Sequence, residues 1–431
     1  MKVLQVNSYD FGGAAKACIR LHEALLDQGI DSQLLLKQKT RDIRASTVCP
    51  PPTKPRQPWQ QRLLAKLRRI GVEFWLVSPP PDKSPEEVRR ATLLAQRPHG
   101  LEICSFPDSS TDICQAEEYT TADIIHFHWV ANFLDWKTFF AKNTKPIVWT
   151  LHDQNPFLGI EHYAERFIDV DENGLPVPRK YTELEIREND YWLTYKKKCL
   201  HNVKNLYIVA PSQWLLNCSK NSRLFAQYPH YYIPYGFPTN IFKPLDQKFC
   251  REVLGLPLDK RVILFVAHSV ENNRKGFAFL KKALENFKNE NICLCVIGSK
   301  MQLEECNNLI ALGKIFDERL MAVAYSAADV FVIPSLEDNL PNTMIEALLC
   351  GTPVIGFPTG GIKETIQDEI NGYLCNEISV AALVYNLEKF MHNIDGFNRH
   401  AIAKEAQKKY SLEIQAKAYI ALYNHILNCK V

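Results

Sequence analysis

Residues 334–366 read PSLEDNLPNTMIEALLCGTPVIGFPTGGIKETI and set two carboxylates, Asp338 and Glu346, across a loop-to-helix junction. The preceding AADVFVI is a short apolar run rich in β-branched and aromatic residues, which reads as a buried strand. Pro341 falls near the first helical position, where its missing N–H costs nothing, and Cys350-Gly351 closes the helix with a residue free to take positive φ. Asp338 is thus expected on the loop at the carboxyl end of a strand, and Glu346 about a turn and a half into the helix. In an open α/β sheet that edge is where ligands bind. Carboxylate acceptors there suit the vicinal hydroxyls of a ribose or a hexose.

The same alternation starts the chain. KVLQVN, SYDFGGAAK, CIRLHEALLDQG and SQLLLK read as strand, glycine loop, helix and strand, one βαβ unit. The loop holds Gly12-Gly13 but no GxGxxG, and the second strand ends in Lys37 where a nicotinamide dinucleotide site would place an acid, so a dehydrogenase is disfavoured. Small residues at a helix N-terminus let backbone N–H groups approach a diphosphate, although turn geometry alone also explains a Gly-Gly pair. Farther on, KRVILFVAHSVENNRKGFAFLKKAL repeats strand, loop and helix, with Arg274 and Lys275 in the loop. Cations at a strand's carboxyl end beside a helix N-terminus suit a diphosphate; a solvated basic turn is the plainer alternative.

Composition narrows the class. A chain of 431 residues holds two or three domains, and a formal charge of +3 does not suit a protein that coats nucleic acid. Thirteen cysteines without a CxxC read as reduced, mostly buried thiols. No apolar run reaches membrane-spanning length, and MKVLQVNSYD lacks a signal-peptide core, so a cytoplasmic location is expected. His126 and His128 alternate on one strand and His152-Asp153 ends the next; no third ligand is fixed by spacing, so no metal site is expected. WQQRLLAKLRRIGVEFWLV, a basic helical insert at about 54–78, either packs its apolar stripe on its own domain or lies on an anionic membrane surface, which would put the protein at the inner face of the membrane. YYIPYGFPTNIFKP has the proline and glycine density of an interdomain linker. In the last helix Ile414, Ala418, Ala421, Leu422 and His425 recur at helical intervals and mark the expected apolar face.

The stretch from Asp338 to Glu346, with seven residues between its acids, resembles the donor-sugar motif of retaining glycosyltransferases of the GT-B architecture, glycosyltransferase family 4. That family usually has Glu at the first position; here it is Asp338, with Glu337 adjacent as the alternative first acid. The resemblance implies two doubly wound Rossmann-like α/β domains facing a central cleft. They would be an acceptor-side domain at 1–235, a nucleotide-sugar domain at 236–405, and a terminal helix at 406–431 packing back on the first. It implies transfer of a hexosyl or N-acetylhexosaminyl group from a nucleotide diphosphate sugar to an acceptor hydroxyl with retention, in polysaccharide, glycolipid or glycoconjugate synthesis. The acceptor would be a sugar, glycolipid or lipid-linked molecule, and no metal cofactor is required.

By the same resemblance, Lys275-Gly276 matches the lysine-glycine that binds the donor diphosphate, with Arg274 beside it and Ser269 where many members carry arginine. Gly13, Ile315, Asn339, Leu340, Gly360 and Gly361 fall at donor-contacting positions, Glu346 at the ribose and Asp338 at the sugar hydroxyls. His152 falls beside the reacting sugar. The insert at 159–201 corresponds to the acceptor side but lacks the cysteines that a subgroup places around its His-Tyr pair. The competing classes are a catalytically inactive nucleotide-binding module of the same architecture and a sugar-nucleotide epimerase or hydrolase.

Overall fold

In the computed structural model, which describes residues 1–51, 85–286, 291–299 and 308–429, the chain builds two parallel sheets. The first takes β1 (Lys2–Tyr9), β2 (Asp31–Gln38), β3 (Ser46–Val48), β4 (Ile124–Phe127) and β5 (Ile147–Thr150). A hairpin of β6 (Phe167–Val170) and β7 (Pro176–Pro178) then leaves the sheet, and β8 (Leu206–Ala210) and β9 (His230–Tyr232) complete it. Its order is β3-β2-β1-β4-β5-β8-β9. The second sheet takes β10 (Arg261–Val266), β11 (Ile292–Ile297), β12 (Leu309–Gly313), β13 (Val330–Ile333), β14 (Val354–Gly356) and β15 (Gly372–Leu374), in the order β12-β11-β10-β13-β14-β15. β4, β5, β11 and β13 are buried at every residue, as strands covered by helices on both faces must be. In each sheet the order reverses beside the first strand, between β1 and β4 and between β10 and β13, and the crevice at such a reversal is where doubly wound folds bind ligands.

Two sequence expectations shift. The first helix begins at Gly13, not Cys18, because Gly12 at φ 89° turns the chain directly into it. The terminal helix Leu412–Asn428 buries Gln415, Ala416, Tyr419, Leu422, Tyr423 and Ile426, so its inward face is rotated from the expected one and Ile414, Ala421 and His425 are exposed. Its tyrosines turn inward to polar partners, Tyr423 meeting His126 and Tyr419 meeting Thr150, each at 2.7 Å. The basic insert at about 54–78 lies outside the described residues.

The terminal helix packs with Val3, Leu21, Leu25, Ile124 and Val148 of the first half. It gets there alongside the proline-rich segment after β9: Phe237 N–H donates to Tyr410 O at 2.8 Å, and Leu412 N–H donates back to Phe237 O at 3.3 Å. The β6-β7 hairpin crosses the other way. Val170 is part of the core of the second half, Lys282 Nζ donates to Asp171 O at 2.7 Å, and Val380 N–H donates to Gly174 O at 2.8 Å. Two segments of opposite direction therefore tie the halves together. All twelve described cysteines are free thiols, seven of them buried, and no helix among the described residues is long and apolar enough to cross a membrane.

Candidate functional site

The loop after β10 tightens into a 3-10 turn, Asn273–Lys275, that ends on Gly276 at φ 68°. A Cβ at Gly276 would lie 1.8 Å from Pro334 O, so only glycine lets this turn press against the end of β13. Lys275 is thereby delivered to the acid loop, with Nζ 2.6 Å from Asp338 Oδ2. Arg274 Nη1 lies 3.4 Å from the same oxygen, and Ser335 Oγ donates to it at 3.3 Å. Burial works against the Asp338 charge, yet Lys275 and Arg274 outweigh it and hold the carboxyl below its usual range. Burial and the neighbouring Arg274 draw the Lys275 pKa down, with Asp338 opposing.

Arg274 is more committed than its position in the sequence suggests. Its Nη2 donates to Glu102 Oε2 at 2.7 Å, its Nη1 donates to Glu337 O at 2.9 Å, and it lies 4.0 Å over the Tyr163 ring. Glu102 stays ionised despite burial, chiefly through Arg274, with its pKa drawn down to about 2. Arg274 is thus buried and charge-compensated, whereas the Lys275 side chain keeps 25% of its surface exposed. Glu337, the alternative first acid, points elsewhere: its Oε2 accepts from Glu165 N at 2.8 Å, and Glu165 takes φ 44° to offer that N–H. Asp338 is accordingly the acid that faces the lysine.

Gly360 and Gly361 open the helix Gly360–Thr365 beneath this loop. A Cβ on Gly360 would stand 1.6 Å from Asp338 O and one on Gly361 would stand 2.1 Å from Asn339 O; Gly361 N–H donates to Asn339 O at 2.6 Å. The pair's close approach is therefore to the protein's own acid loop. Leu340 turns into the core and Ile315 packs against it, so any ligand contact by Leu340 is limited to its backbone. Gly13 meets the second half, its carbonyl accepting from Asn342 Nδ2 at 2.9 Å. Glu346, buried in the helix Asn342–Leu349, does not touch Asp338. Its Oε1 accepts from Arg20 of the first helix at 2.7 Å, and its Oε2 from the Tyr325 hydroxyl at 2.9 Å.

Opposite it, in the first half, the His126, His128 and His152 rings are neutral. His152 follows β5, with Nδ1 2.8 Å from the Tyr235 hydroxyl and Nε2 3.0 Å from His128 Nδ1. His128 Nε2 meets Gln5 Oε1 at 2.7 Å, and His126 bridges the Tyr423 and Thr150 hydroxyls at 2.7 Å each. The partners fix the tautomers. Gln5 Oε1 can only accept, so His128 carries its proton on Nε2 and accepts at Nδ1 from His152 Nε2–H; His152 Nδ1 then accepts from Tyr235. Burial pushes the His152 pKa down to about 4, and those of His126 and His128 well below the usual imidazole range. Both ring nitrogens of His152 are spent, and its carbonyl accepts from Asn339 Nδ2 at 3.1 Å while Ser212 Oγ donates to Asn339 Oδ1 at 2.7 Å. Asn339 is thus the clasp between the acid loop and the histidine loop.

Next to it Asp153, His162 and Ser105 form a closed chain, with His162 Nδ1 2.6 Å from Asp153 Oδ2 and His162 Nε2 2.8 Å from Ser105 Oγ. All three are buried, and Trp129 Nε1 also donates to Asp153 at 2.9 Å. Rings of Phe11, Tyr9, Trp129 and His162 follow one another at 5.0, 5.8 and 5.3 Å, the first and last pairs stacked and the middle one tilted, from an exposed Phe11 inward along the carboxyl edge of β1 and β4. Among the described residues no group of three or more His, Cys, Asp or Glu is arranged to hold a metal ion. Sequence reasoning missed Arg20, Glu102, Tyr235 and Tyr325. For Arg20 a signal existed: a charge in the apolar register of Ala17, Leu21 and Ala24.

Comparison with known proteins places this geometry. Residues 260–393, which hold Lys275, Asp338, Glu346, Gly360 and Gly361, match the profile of the glycosyl transferases group 1 family. D-inositol 3-phosphate glycosyltransferase 2 of Catenulispora acidiphila is 28% identical over 205 residues, 42% of this chain and 48% of that protein. A D-inositol 3-phosphate glycosyltransferase of Xylanimonas cellulosilytica is 33% identical over 137 residues, 29% of this chain and 32% of that protein. The chain spans about half the length, or less, of these curated relatives. Among solved structures, sucrose-phosphate synthase from Thermosynechococcus elongatus superposes with a TM-score of 0.67 at 17% identity over 100% of both chains. Anabaena Alr3699/HepE in complex with UDP and glucose gives 0.61 at 14% identity over 98% of this chain and 99% of that one. The catalytic domain of starch synthase IV from Arabidopsis thaliana, bound to ADP and acarbose, gives 0.60 at 14% over 99% of each. At these identities the likeness is one of fold, and the fold is the GT-B architecture of two parallel-sheet α/β domains.

Proposed function

We propose that the protein transfers a hexosyl or N-acetylhexosaminyl group from a nucleoside diphosphate sugar to an acceptor hydroxyl, with retention at the anomeric carbon, in polysaccharide, glycolipid or glycoconjugate synthesis. One observation carries this: Lys275 and Asp338 of the second half meet at 2.6 Å, and the next residue, Asn339, reaches the His152 carbonyl at 3.1 Å. A cation, an acid and the loop of the opposite sheet thus converge at the mouths of both sheets. The group 1 match over the second half, and structural neighbours bound to UDP or ADP, support a nucleotide sugar as donor.

Chemically, the diphosphate gains charge as the glycosidic bond breaks, and a preoriented cation in a partly dry site stabilises that charge. Lys275 supplies it. Asp338 exchanges its lysine for donor hydroxyls when the diphosphate arrives. Arg274 Nη1, 3.4 Å from Asp338 Oδ2, still draws on its negative charge after the lysine turns to the diphosphate, so Asp338 is a poor nucleophile, which favours front-face attack with the leaving phosphate accepting the acceptor's proton. His152 acts through its placement and its carbonyl, its ring being committed to Tyr235 and His128. A thermal-shift screen across uridine, guanosine and adenosine diphosphate sugars tests the donor, because a ligand bound only by the folded state raises its melting temperature. Assay of the stabilising donor with sugar and lipid-linked acceptors then tests transfer. No stabilisation by any of them, or sugar release that needs no acceptor, would overturn the reading.

A further inference from the structure

Arg20 is the most unusual charge in the first half. It lies on the buried face of the helix Gly13–Asp27 and is 5% exposed. Its guanidinium reaches over to two acids of the second half: Nε and Nη2 donate to Glu318 Oε1 at 3.1 and 2.6 Å, and Nη2 also donates to Glu346 Oε1 at 2.7 Å. The cation is roofed by Phe237 and Phe242, at 4.6 and 5.3 Å from their ring centres. Its Nη1 is buried without a hydrogen-bond partner among the described residues. Other buried guanidinium nitrogens, Arg274 Nε among them, are likewise unmatched, so what sets Arg20 apart is its pair of acids from the other half.

We propose that Arg20 is a positioning residue for the donor ribose, holding Glu346 in the orientation that accepts the ribose diol and making that grip depend on the two halves being closed together. This rests on Glu346 being the ribose acid. An ionised carboxylate has about four acceptor sites. Arg20 occupies one on Oε1 and Tyr325 one on Oε2, which fixes the plane of the group and leaves one site on each oxygen for a vicinal diol. A counter-charge from its own half would neutralise Glu346 equally well. One from the first half does more, since Glu346 is then fully oriented only in the closed cleft where donor and acceptor meet. Lysine cannot replace it fully, because an ammonium lacks the planar fork by which Nε and Nη2 meet Glu318 while Nη2 also reaches Glu346.

Calorimetry of the whole protein gives the test, using whichever of uridine, adenosine or guanosine diphosphate binds tightest, together with its 2′,3′-dideoxy analogue. The wild-type protein is expected to prefer the diol-bearing nucleotide by about 10- to 100-fold, the range for hydrogen bonds to a charged group. Arg20→Gln should bring that preference to within about threefold while leaving dideoxy affinity nearly unchanged. Arg20→Lys, which keeps one charge and the fold, should retain an intermediate preference. Equal loss for both nucleotides, or a wild-type preference in either variant, would overturn the role of Arg20. A wild-type protein that does not distinguish the two nucleotides would instead remove Glu346 as the ribose acid, and the inference with it.

Discussion

The carboxyl edge of the first sheet is lined by neutral rings that satisfy one another, whereas the carboxyl edge of the second is lined by charges that compensate one another. On the first side every imidazole nitrogen of His126, His128 and His152 has a partner, and burial keeps all three uncharged. On the second, Arg274 is closed off by Glu102, and Lys275 remains the cation with exposed surface beside the acid loop. The contrast assigns different physical tasks. The neutral rings fix a loop, while the charged wall is the side that, under the proposed function, would meet the donor diphosphate.

The sharpest way to break that contrast is to remove the accessible cation. Lys275→Ala should lower kcat/KM with the cognate donor by about 10²- to 10³-fold. Asp338 keeps Arg274 nearby, so the melting temperature should move little; near-normal turnover would remove Lys275 from the chemistry. Next comes the glycine that lets the charged wall assemble. Gly360→Ala would drive a Cβ into Asp338 O at a positive φ, and a loss of about 2–4 kcal/mol in denaturant stability is expected, together with loss of donor binding. A stability change below about 0.5 kcal/mol would show that the acid loop yields easily.

Acid probes the neutral wall. Folded His152 holds its proton only near pH 4, against about 6.5 in the unfolded chain, so between those values the unfolded state binds more protons. Stability should therefore fall as pH drops through about 6.5 toward 4, on the order of 3 kcal/mol from His152, with His126 and His128 acting in the same direction. Glu165, pushed up to about 6 by burial, opposes this between pH 6 and its ordinary 4.5, because there the folded state takes up the proton first. Urea midpoints measured at steps from pH 7 to pH 4 check the balance; a flat profile would mean that the rings are not held neutral. The smallest effect is expected at the other glycine pair. Gly13→Ala places a Cβ 3.6 Å from Asn342 Nδ2, an ordinary contact, so stability should change by less than about 0.5 kcal/mol. A rise in donor KM alone would then mark Gly13 as a ligand contact.

The spacing of Asp338 and Glu346, the Lys275-Gly276 turn and the βαβ opening were legible because each is local. A strand end, a capping proline or a glycine turn is encoded within a few neighbouring residues. The partners of those residues were not. Glu102, which neutralises Arg274, stands 172 positions away, and nothing in its own neighbourhood marks it. The terminal helix shows the same limit. Apolar periodicity favoured Ile414, but the buried face instead carries Tyr419 and Tyr423, whose hydroxyls complete Thr150 and His126.

Sequence alone determined the alternation of strands and helices and which loops bear the acids, the cation and the glycines. Those features follow from short-range sterics, burial periodicity and capping. Tertiary structure alone decided that Glu346 answers to Arg20, 326 positions earlier, that Asn339 clasps the His152 carbonyl, and which nitrogen of His128 and of His152 carries its proton. Such pairings are set by which groups are desolvated together, and a buried charge or ring must take the partner the fold brings to it, however distant in the chain.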